Sequence, residues 1–173
     1  MRRLLVLVLS TMLFSCGGDK APKLLVLGVD GMDPQLLQRL MTEDKMPNFA
    51  RLAAEGGFTA LATSVPPQSP VAWSTFITGL DPDGHGIYDF VHRLPEEIPP
   101  YLSTSREVEE GEMELLREGT PFWLHLSLAG IASRVFKVPA NFPPRGGESE
   151  LLHLDFPEHV AYAGMGTPDI LGT

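Results

Sequence analysis

Residues 66–89 read PPQSPVAWSTFITGLDPDGHGIYD, and no other stretch restricts the fold as much, because it opens a helix and then forbids that helix to run on. Ser is a preferred N-cap residue, proline suits the first helical position where its missing N–H does no harm, and glycine suits the stop. Ser69, Pro70 and Gly79 stand in that order, so the spacing predicts a helix over 70–78 with one hydroxyl at its mouth. Ala72, Trp73, Phe76, Ile77 and Leu80 recur at helical spacing and draw an apolar stripe expected to face a core. A helix N-terminus presents unpaired N–H groups and roughly +0.5 of a charge, which favours an anion such as phosphate beside that hydroxyl. Ser69 therefore has two readings, a helix cap or a reactive hydroxyl at an anion site.

Upstream, residues 23–31 (KLLVLGVDG) form an aliphatic run ending in an acid and a glycine, the pattern of a parallel strand buried on both faces. Asp30 sits at its carboxyl end, where open α/β sheets gather their ligands, and Gly31 lets a ligand approach the backbone. Asp30 is either a metal or substrate ligand or the cap of the next helix. Residues 34–41 and 47–55 each open with proline and carry apolar residues at helical spacing, with Gly56 and Gly57 stopping the second. Asp33 reads as the N-cap of the first. Residues 58–63 (FTALAT) are rich in strand formers and predict a short strand leading into the Ser69 loop.

Further on, residues 92–119 hold prolines and an acidic tract interrupted by Gly111, and read as a surface excursion. A helix follows Thr120-Pro121 and closes at Gly130, with a strand over 131–138 behind it. Trp123 and His125 lie inside that helix, where packing explains them. His85, between two glycines, reads as part of a tight turn, and Arg145, in a proline-rich loop over 139–147, as an exposed arginine.

A chain of 173 residues suffices for one domain with a sizeable core. Its net charge of −9 comes from 13 Lys and Arg against 22 Asp and Glu, without a basic run, which excludes nucleic acid as a partner. Residues 1–15 carry two arginines and an apolar run too short to span a bilayer, which is the layout of an export signal. The run ends at Cys16, the single cysteine, so no disulfide and no cysteine metal cluster can form within the chain. The stretch resembles a bacterial lipoprotein signal, which implies a lipid on Cys16, a tether over 16–22, and a protein exported and anchored to the membrane.

GVDG after an apolar run, then PPQSPVAWSTFITG, then PDGHGIYDF resemble the alkaline phosphatase superfamily, and within it the type I phosphodiesterase/nucleotide pyrophosphatase branch. The resemblance covers residues 23–173 and is most specific over 69–90. It implies a doubly wound α/β fold with a mostly parallel sheet. It also implies a two-metal site in which Asp30 binds one metal and Ser69 is the nucleophile and a ligand of the same ion. Where nucleotide pyrophosphatases carry an oxyanion-binding Asn, this chain has Tyr88-Asp89-Phe90. Sulfatases share the fold, but their motif needs an arginine, and Ser64-Val65-Pro66 continues Pro67-Gln68.

The resemblance thus implies metal-dependent hydrolysis of phosphate mono- or diesters of a small phosphorylated substrate, through a phosphoseryl intermediate. Two divalent ions are implied, zinc first and manganese second. The family's remaining metal ligands, including an Asp-His-Gly motif, are absent from these residues. The chain is therefore expected to be the N-terminal part of a longer domain, incomplete on the C-terminal side and inactive alone. The competing expectations are a secreted binding or scaffold protein that keeps the fold, and a phosphomutase or phosphotransferase of the superfamily.

Overall fold

Helices form where proline opens and glycine or a turn closes an apolar periodicity. In the computed structural model, which describes residues 23–96, 98–109, 111–144 and 160–163, α1 spans Pro34–Thr42 and α2 spans Pro47–Gly56. Asp33 caps α1 as expected, its carboxylate accepting from the N–H groups of Gln35 at 2.7 Å and Leu36 at 3.0 Å. Next, α3 spans Ser69–Thr78 and ends at Gly79, whose φ of 70° is a left-handed value that glycine adopts without a side-chain clash. The single turn α4, Pro82–His85, follows directly. A last helix, α5, spans Phe122–Leu128 and is closed by the N–H of Ile131 donating back to Leu126 O.

The buried side of α3 is not the stripe expected from the sequence. Pro70, Val71, Ser74 and Ile77 are buried, whereas Phe76 and Leu80 are exposed. Ser74 can face inward because its hydroxyl donates to Pro70 O at 2.6 Å and leaves no polar group unsatisfied. Ile77 meets Trp123 of α5 and Val135 to form the core, with Phe122 and Val138 packed on its edge.

Residues 92–119 hold more structure than a surface excursion. Strands β1 (Val91–His92) and β2 (Tyr101–Leu102) pair antiparallel, and β3 (Ser105–Glu109) pairs antiparallel with β4 (Glu112–Leu115). Leu116 N donates to Thr104 O, which continues that register and sets Ser103 opposite Arg117. Ser103, Ser105, Leu115 and Arg117 thereby share one face, and all are buried. Arg117 donates from Nε to Ala140 O and from Nη2 to Asn141 Oδ1, each at 3.3 Å, and so ties the loop after residue 138 to the hairpin.

Strands β5 (Arg134–Val138) and β6 (Val160–Ala163) form a parallel pair, the arrangement proper to an α/β fold. The continuous doubly wound sheet expected from the sequence is not formed among the described residues, whose strands make three separate pairs. In particular, residues 23–31 and 58–63 are not strands. Leu25 is 88% and Leu61 93% exposed, so the aliphatic run ending at Asp30 is not a buried central strand. The physical reason is that a strand exists only where neighbours complete its hydrogen-bond ladder, while a helix completes its own.

Candidate functional site

The first turn of α3 meets the end of the aliphatic run at a single carboxylate. Ser69 Oγ donates to Asp30 Oδ2 at 3.1 Å, and Trp73 Nε1 donates to Asp30 Oδ1 at 3.0 Å. Ser69 and Trp73 are four residues apart, which sets both donors on one side of the helix. Both expected residues therefore stand together although 39 positions separate them in the chain. The hydroxyl of Ser69 makes no cap bond, and Gln68 occupies the N-cap position, so the expectation of a capping serine is corrected. The helix field and the chain's missing N–H at Pro70 remain as read.

Trp73 was expected in the apolar stripe, and its part in the site is new. An indole has one N–H and needs a partner for it when half-buried, so a tryptophan one turn beyond Ser69 was a usable signal. On its other side the ring lies against Gly28, where any Cβ would overlap Trp73 Cη2. Edge-to-face contacts run from Trp73 to Phe76 at 5.8 Å, from Phe76 to Phe122 at 5.6 Å and from Phe122 to Trp123 at 5.1 Å, linking the site to the core.

Behind the helix, His85 is fully buried. Its Nδ1 accepts from Ile87 N at 3.2 Å, so Nε2 carries the proton and donates to Thr75 Oγ1 at 3.1 Å. Burial, and secondarily the charge of Arg117, hold the imidazole below its ordinary pKa, against the opposing charges of Asp81 and Asp83. Its place is in the turn that backs α3. Asp89 Oδ1 accepts from Phe90 N at 2.7 Å and serves its own loop. His125, expected to be explained by packing, is instead exposed on α5. Cys16 and Arg145 lie outside the described residues.

Asp30, on an exposed turn, and Ser69, half-buried, set oxygen donors side by side, a chemistry that fits a divalent cation. Among the described residues no group of three His, Cys, Asp or Glu that could hold a metal ion is present, and the pair supplies one carboxylate and one hydroxyl.

The sequence profile of the family described as type I phosphodiesterase / nucleotide pyrophosphatase matches residues 24–165, which takes in Asp30, α3 and the turn at His85. The chain belongs to that family. No curated protein and no solved structure matches it. The type I phosphodiesterase family lies in the alkaline phosphatase superfamily and implies an α/β fold. Its members are phosphoric ester hydrolases and generally depend on metal ions.

Proposed function

We propose that the protein hydrolyses phosphate mono- or diesters by way of a phosphoseryl intermediate on Ser69. The observation that carries this reading is the bond from Ser69 Oγ to Asp30 Oδ2 at the mouth of α3. That bond gives the hydroxyl proton an acceptor and leaves the oxygen's lone pairs free to attack. The phosphoryl oxygens of a substrate would face the positive end of the helix. As the Oγ–P bond forms, the bond from phosphorus to the leaving oxygen breaks; the serine proton goes to Asp30 Oδ2 on the attacking side, and the leaving alkoxide takes its proton from water. Water then attacks phosphorus, the Oγ–P bond breaks, and Ser69 regains a proton.

Divalent ions, zinc before manganese, would neutralise phosphoryl charge and activate the hydroxyl, and Asp30 and Ser69 are the residues that would hold one of them. The test is rapid-quench labelling with a substrate radiolabelled on its phosphoryl group, using protein expressed from its complete reading frame. The wild type should trap label that survives denaturation, and Ser69→Ala should trap none. Trapping by Ser69→Ala would sink the assignment.

The same reading locates the protein at a membrane on the exported side, tethered through lipid on Cys16. Labelled palmitate in a bacterial host should mark the wild type and leave Cys16→Ala unlabelled. Equal labelling of both would remove the anchor from the proposal.

A further inference from the structure

We infer that Trp73 is a positioning residue that holds Asp30 through Oδ1 and so turns Oδ2 toward Ser69 and a divalent cation. This rests on the phosphohydrolase reading for its consequence, although the geometry stands without it.

A carboxylate on an exposed turn can rotate and offer either oxygen, or both, to an ion. Asp30 is exposed and lies in such a turn, so nothing in its own backbone selects one mode. The selection comes from α3. The indole N–H is 3.0 Å from Oδ1 and the Ser69 hydroxyl 3.1 Å from Oδ2, and the two donors belong to successive turns of one helix. The plane of the carboxylate is thereby set by two points on a rigid element. An indole donates a single hydrogen bond and accepts none, so the bond to Oδ1 uses the whole hydrogen-bonding capacity of Trp73.

The ring itself has little freedom. Gly28 provides the flat backbone against which it lies, and the edge of Phe76 meets it at an interplanar angle of 88°. Through Phe122 the row ends on Trp123, which is fully buried. Glycine at position 28 is thus part of the same device, because a methyl group there would push the indole off Asp30. A tryptophan that merely packed would need neither the N–H nor this alignment.

Groups that orient a metal-binding side chain typically change metal affinity 10- to 100-fold when removed. Trp73→Phe keeps most of the ring and deletes the donor, so it should weaken zinc binding by about 10-fold, measured by competition with a chromophoric chelator. Gly28→Ala should weaken it similarly with the indole N–H still present. A nitrogen-15 spectrum supplies a readout independent of metal and of activity. The chain has two tryptophans, and the indole resonance that vanishes in Trp73→Phe belongs to Trp73. That resonance should move upfield in Asp30→Ala, which removes the acceptor, while the resonance of Trp123 stays in place.

An unmoved Trp73 resonance in Asp30→Ala, or zinc affinity within twofold of wild type in both Trp73→Phe and Gly28→Ala, overturns the inference. Wild-type protein that binds no zinc and traps no phosphate would defeat the phosphohydrolase reading instead. The indole shift alone would then decide whether Trp73 holds Asp30. Thermal melts of the variants by circular dichroism show that each is folded.

Discussion

The helix α3 and the run over residues 24–29 are both apolar, and they meet at Asp30, yet one is packed and the other is bare. Val71 and Ile77 of α3 are fully buried, while Leu24, Leu25 and Leu27 are mostly exposed. The difference lies in the backbone. A helix satisfies its N–H and C=O groups within nine or ten residues and needs a partner only for its side chains. A strand leaves half its polar backbone to neighbours, so apolar side chains alone do not make one. Asp30 nonetheless has a defined place, because α3 reaches out and holds it from both oxygens.

The largest effect that would break this comparison concerns the junction. If Ser69 and Asp30 work as one unit, Ser69→Ala and Asp30→Asn should each lower turnover by at least about 10³-fold, and the double variant should be little worse than either. Steady-state kinetics on protein from the complete reading frame decide it. Multiplying losses would mean that the two residues act in separate steps. Because Ser69 makes no cap bond, Ser69→Ala should leave the melting temperature close to wild type.

Next in size are the packing losses. Ile77→Ala should cost about 3 kcal/mol in urea unfolding, since it opens a cavity between α3, α5 and β5. Leu25→Ala, at an 88% exposed position, should stay within about 0.5 kcal/mol. Equal losses at the two sites would show that the exposed run is covered in solution, and the contrast would fail.

Smaller still is the cap on α1. Asp33→Ala removes an acceptor from two N–H groups and should cost about 1 kcal/mol by the same measurement.

The smallest and most gradual effect is that of pH on His85. Its folded pKa lies below the ordinary 6.5, so the unfolded chain binds the proton more readily than the folded one. Stability is therefore full above 6.5 and falls as pH drops through 6.5 toward the lower folded value. Urea midpoints between 6.5 and about 5, above the range where carboxylates titrate, should decline in the wild type. His85→Asn should be less stable throughout and flatter across that window. An equal slope in both would assign the decline to other groups.

Local rules decided a good part of this protein. Pro34, Pro47 and Pro70 open helices, Asp33 caps one, and Gly79 stops α3, because each acts on backbone groups within one turn. The family and the pair Asp30 and Ser69 were also legible, through GVDG and SPVAWSTFITG standing at their spacing. What the tertiary structure alone decided involves partners far apart in the chain. Arg117 could be read as a surface charge until Ala140 O and Asn141 received it, 23 and 24 residues away. Ser69 kept two readings, helix cap or reactive hydroxyl, and the fold decided that its Oγ donates to Asp30 Oδ2 and makes no cap bond. Trp73 read as core, since a ring's apolar area follows helical period and can be counted along the chain. The direction of its one N–H cannot, because it depends on which side chain the fold brings within 3.0 Å.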